Sequence, residues 1–91
     1  METIVLSGDI DPVGALRLRS RLQDATTELR PIVNVDLTEV TSIHVAGVSA
    51  LIAAARRAQR NRGELRLIPP VAEQAKRELA LSRWFPVLSL G

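Results

Sequence analysis

The chain reads as an α/β fold, a mixed and mainly parallel sheet of about four strands with helices packed on it. Three observations predict this. Short β-branched and aliphatic runs at Thr3–Ser7, Ile32–Leu37 and Glu64–Ile68 alternate with longer segments whose apolar residues recur every three or four positions. Turn and cap signals (Gly8, Asp11-Pro12, Pro31, Asn61-Arg62-Gly63, Pro69-Pro70) separate the runs. No internal repeat, low-complexity tract or linker breaks the order. Strands alternating with helices imply β–α–β crossovers, and so a sheet with helices gathered on its faces.

Each element follows from its residues. Thr3–Ser7 (TIVLS) is a strand closed by Gly8. Asp11 is placed to cap a helix, and Pro12 suits its first position, where a missing N–H costs nothing. From there Ala15, Leu18, Leu22, Ala25 and Leu29 form one apolar stripe, with Arg17, Arg21, Asp24 and Glu28 opposite, and Pro31 ends it. Ile32–Leu37 (IVNVDL) is apolar at most positions, as expected of a central strand covered on both faces. A second helix runs from Val45 to Arg60, with Val45, Val48, Leu51, Ile52, Ala55 and Ala58 on one side and Arg56, Arg57 and Arg60 mostly on another. Gly63 is the expected left-handed cap after it. Glu64–Ile68 alternates as a third strand. Pro69-Pro70 opens a weakly amphipathic third helix through Leu79, by Ala72, Ala75 and Leu79. The tail holds the two aromatics, Trp84 and Phe85, expected to pack against the sheet, and a last short strand from Val87.

Composition bounds the function. Ninety-one residues, 46% of them apolar, fit one domain spanning 1–91 with a core of Leu, Val, Ile and Ala. With no cysteine, disulfides and thiolate metal sites are excluded, which fits a reducing cytoplasm. No secretory signal is visible, and no run of eighteen apolar residues offers a membrane span. The net charge is +2, and eleven of the twelve basic residues are arginine. These arginines alternate with acids along helix faces and have no aromatics between them to stack bases, so nucleic acid is not the expected partner.

The residues from Val33 to Arg57 carry the functional signal: a strand, a short polar loop, and a helix opening on Ala46-Gly47. Leu6-Ser7-Gly8-Asp9-Ile10-Asp11, Val35-Asp36-Leu37, Ala46-Gly47-Val48 with Leu51, and Gly63-Glu64-Leu65-Arg66-Leu67 stand in the order and separation of four motifs of one family. On these the chain resembles the STAS (sulfate transporter and anti-sigma antagonist) domains. The family's signature loop is Asp-Ser-Ser-Gly or a close variant; the matching tetrapeptide here is His44-Val45-Ala46-Gly47. The resemblance implies a bacterial, cytoplasmic, non-enzymatic interaction module similar to an anti-sigma-factor antagonist. Such a module binds a kinase-like anti-sigma factor and regulates transcription indirectly. In antagonists a serine at this helix N-terminus takes phosphate, changing the charge of a docking surface. That serine falls on Ala46, so the phosphorylation site is degenerate. An alternative is also implied: a small cytoplasmic STAS subunit that binds the ATPase of a lipid-type ABC transporter, whose loop likewise departs from Asp-Ser-Ser-Gly. The family normally places a further strand before the one at Thr3–Ser7. Its absence leaves an edge through which a homodimer could form.

The expected partner surface is therefore His44, Val45, Ala46, Gly47, Ser49, Ala50, Ala53 and Arg57. Ala46, Ser49, Ala50, Ala53 and Arg57 form a stripe of mostly small residues that another backbone could approach, or that could pack on a neighbouring helix of this chain. Gly47 suits close helix approach. His44, the sole histidine, precedes a helix N-terminus whose dipole disfavours an imidazolium, so it is expected to be neutral and bonded to backbone. Ser42 and Thr41 are expected to satisfy loop or helix-end N–H groups; with Ser49 they are the nearby hydroxyls available for modification. Asp9, Asp11 and Asp36 read as turn, cap and strand-end residues. No nucleophile pairs with His44, so no catalysis is expected, and neither a metal nor a cofactor.

Overall fold

The computed structural model of the chain describes residues 1–81 and 89–90. Its elements are β1 (Glu2–Ile10), α1 (Pro12–Thr26), β2 (Ile32–Ile43), α2 (Val45–Arg60), β3 (Glu64–Ile68), α3 (Glu73–Leu81) and β4 (Ser89–Leu90). The sheet order is β1-β2-β3-β4, and every pairing is parallel. The expected admixture of antiparallel pairing does not occur among the described strands, because each is reached through a helix and not a hairpin. The expectation for Trp84 and Phe85 lies outside the described residues.

Each crossover steps one strand in the same direction. With a common hand, this puts the three helices on one face. The burial pattern agrees. Ile4, Ile10, Val33, Val35, Leu37, Leu65 and Leu67 turn towards the helices and are buried with Leu18, Leu22, Leu51, Ala54, Ala55, Ala58, Ala75 and Leu79. The other face carries Val5, Asn34, Asp36 and Arg66, exposed or half-buried. Among the described residues β2 is thus covered on one face only, and the reading of Ile32–Leu37 as doubly covered is corrected. Asn34 and Asp36, two polar residues at period two, carried that information.

The first two strands run longer than their apolar runs. β1 continues through Gly8 at φ 73°, a conformation that favours glycine, and the β1–β2 register shifts on either side of it. Gly8 therefore lies inside the strand and does not end it, and the extra residue at each shift stands on β2, between Asp36 and Glu39 and between Val40 and Ser42. β2 continues to Ile43, so Thr41 and Ser42 stand in a strand and not a loop. The Ser42 hydroxyl donates to the Asp9 carboxylate across β1 and β2, which replaces the expected roles of both residues.

α1 begins as expected: Asp11 Oδ1 accepts from the Gly14 N–H at 2.7 Å, with Pro12 at its first position. It ends before Leu29, which is 75% exposed and no part of the stripe. Val45, expected inside, is also exposed. α2 keeps the predicted bounds. Its end is held by Asn61, whose side-chain amide donates to the Thr26 C=O at 2.8 Å, tying the C-termini of α1 and α2 together. The left-handed residue after α2 is Arg62, at φ 63°, and not Gly63. Gly63 is required for a different reason: a Cβ there would stand 1.9 Å from the Pro31 carbonyl oxygen. α3 starts at Glu73, after the two prolines, and its buried Ala75 and Leu79 complete the core.

Candidate functional site

The turn from β2 into α2 is built by neighbouring backbone. The His44 N–H donates to the Ile10 carbonyl at 2.8 Å, continuing the β1–β2 ladder by one bond. His44 then caps α2: its Nδ1 accepts from the Ala46 N–H at 3.1 Å. Nδ1 can accept only when it carries no proton, so the cap holds the imidazole with any N–H on Nε2. The expected backbone bond of His44 is present, in the form of a helix cap.

The expected partner-surface residues separate into two groups. His44, Val45, Ala46, Ser49 and Ala53 are exposed. Gly47 and Ala50 are buried. A Cβ on Gly47 would lie 2.9 Å from Ile43 Cγ1 and 3.2 Å from Ile10 Cγ2, so the glycine lets α2 descend onto the ends of β1 and β2. Arg57 is half-buried, and its guanidinium reaches Thr26 Oγ1 at 3.4 Å. It belongs to the α1–α2 junction as much as to the surface. Ala46, Ser49, Ala50 and Ala53 line a groove of about 410 Å³ whose other wall is Arg19 of α1. Arg19 was not expected. It sits one position beyond the core residue Leu18, on the flank turned towards α2, and only the packing of the two helices shows this.

A second, shallower cleft of about 270 Å³ opens at the carboxyl ends of β1 and β2, lined by Asp9, Asp11, Pro12, Ser42, Ile43, His44 and Gln74. Gln74 is the other residue that sequence reasoning missed. Its amide oxygen accepts from the Ile43 N–H at 2.8 Å, and its amide nitrogen donates to the Ile43 carbonyl at 3.2 Å. It comes from α3, thirty-one positions away, with no motif to mark it.

Salt bridges join Arg66 to Glu64 at 3.0 Å and Lys76 to Glu73 at 4.0 Å, and none of these four residues lines the groove. The Asp36 carboxyl is held below its ordinary value of 3.8, first by the Thr38 hydroxyl and then by the Thr38 N–H. These bonds, at 2.7 and 2.9 Å, tie Asp36 to Thr38 within β2, so Asp36 stands inside the strand and not at its end. No group of three or more His, Cys, Asp or Glu residues among the described residues is arranged to hold a metal ion. No helix among them is long and apolar enough to cross a membrane.

The family model described as "Mlab, STAS domain" matches residues 2–84. The chain belongs to the STAS family. No curated protein matches the chain. The match takes in the three described helices and the β2–α2 turn. STAS domains generally mediate protein–protein interactions, and this chain is a STAS-type interaction module.

Proposed function

We propose that this STAS domain is a cytoplasmic, non-enzymatic docking module that binds its partner through the exposed start of α2, with no hydroxyl switch in that surface. The observation that carries the reading is the exposed His44-Val45-Ala46 turn beside the groove of Ala46, Ser49, Ala53 and Arg19. A helix start with small side chains lets a partner's backbone come close, and Ala46 has no oxygen to take phosphate. Gly47 and Ala50 act from beneath this surface, setting the height of α2, and Arg57 acts at its far end.

The partner proposed first is a kinase-like anti-sigma factor. The domain would bind it constitutively, because the position of the antagonist serine is alanine. The second reading is a transporter ATPase, with the domain as a small accessory subunit. The loop favours this second partner: a module that is never switched by phosphate needs no serine at Ala46. The matching family model also carries the name Mlab and not that of an antagonist.

Gentle affinity capture of the tagged protein from its native cell, with mass spectrometry of what stays bound, tests both. A kinase-like anti-sigma factor retained by the wild type and lost on Ala53→Arg supports the first reading. A transport ATPase or permease retained in the same way supports the second. A partner whose retention is indifferent to Ala46, Ser49 and Ala53 overturns the docking surface.

A further inference from the structure

We infer that Gln74 is a positioning residue for the docking turn: its side-chain amide stands in for a missing strand residue and fixes the end of β2 from which α2 starts. The consequence for binding rests on the docking reading above; the positioning itself does not. β3 pairs with β2 from Ile32 to Asp36, and among the described residues no strand lies beside that side of β2 beyond Asp36. In an extended strand the N–H and C=O of one residue point the same way. Ile43 pairs in register with Ile10, yet its own N–H and C=O are turned away from β1, towards α3. A primary amide, like a peptide unit, offers an acceptor and a donor from a single planar group. Gln74 presents both to Ile43, at 2.8 and 3.2 Å. The next residue turns the other way, its N–H on the Ile10 carbonyl at 2.8 Å. The turn into α2 is thus gripped on alternate sides, by β1 at His44 and by α3 at Ile43.

The geometry separates a tether from a core contact. Ile43 is 1% exposed and part of the core. Gln74 itself is exposed in the first turn of α3, while Ala75 and Leu79 do the burying. Removing the amide therefore leaves the core intact and lets water reach Ile43. What is lost is the link between α3 and the turn.

Amide hydrogen exchange by NMR on the full chain tests this with Gln74→Met, which keeps length and helix propensity but offers no donor. Gln74→Ala serves as the second variant. The expected result is an acceleration of roughly tenfold or more at Ile43, His44 and Gly47, with Leu18, Leu22 and Leu51 at wild-type rates. Unchanged rates at Ile43 and His44 would overturn the inference. So would a uniform acceleration at all slow amides, since that reports loss of global stability and no local grip. Capture of the native partner by the same variants reports separately on the docking reading. If the turn opens and capture falls, docking depends on the turn that Gln74 holds; if the turn opens and capture persists, the docking surface is wrong while the positioning stands.

Discussion

His44 caps α2 with a ring nitrogen, where carboxylate, amide and hydroxyl side chains make the stronger caps. His44→Asp should therefore raise stability by about 0.5–1 kcal/mol, through a better cap and a negative charge at the positive end of the helix. Thermal unfolding would read this as a rise in Tm. Combining it with Ala46→Ser rebuilds part of the antagonist loop. Transfer of phosphate to that double variant by a cognate kinase is expected if the bound partner is an anti-sigma kinase, and mass spectrometry would detect it. At Asp36 the sign is fixed by its depressed titration. The Thr38 bonds stabilise the fold in full above the carboxyl's ordinary value of 3.8, and that contribution is lost as pH falls through the lower folded value. Thr38→Val should move the Asp36 titration up, measured by NMR. The stability gap between wild type and variant should close on acidification. Of the residue-scale roles, Asp11 was legible because the cap and the following proline are local chemistry. Gly63 was misread because its constraint comes from Pro31, which packing brings to within bonding range of a would-be Cβ. Gly63→Ala should accordingly cost about 2 kcal/mol or more, since a backbone carbonyl cannot step aside.

At the scale of elements, helices were easier to read than strands. A period of three to four over fifteen residues leaves little choice, and α2 has the bounds its sequence predicts. The strands were cut short because Ser7, Gly8 and Asp9 look like a turn when only propensity is read. Pairing overrides it: β1 runs on to Ile10 beside the longer β2, which takes up the extra residue of each register shift. That extension brings Asp9, Ile10, Ser42 and Ile43 to the foot of α2. The face of a strand was likewise legible in Asn34 and Asp36, but the continuity of apolar residues around them masked the alternation. α2 owes its position to packing more than to propensity. Leu51, fully buried at its centre, should cost about 2–5 kcal/mol on truncation to Ala. Denaturant unfolding should show this as a lowered midpoint at unchanged slope.

For the whole molecule, one arrangement matters most. Three helices cover one face of a four-stranded parallel sheet, and the exposed start of α2 lies where the strands end. The family was legible in four short motifs. The groove was not, because Arg19 and Ser49 become neighbours only when α1 and α2 pack. Neither could the sequence sort the small stripe into surface and floor: Ala50 is buried and Ala53 is exposed on the same helix. The measurement that bears most directly on the docking account compares capture of the native partner by wild type, by Ala53→Arg in the groove, and by Glu39→Arg in β2, away from it. The account predicts that Ala53→Arg loses the partner at unchanged Tm while Glu39→Arg keeps it. Retention by Ala53→Arg, or loss confined to Glu39→Arg, would contradict it.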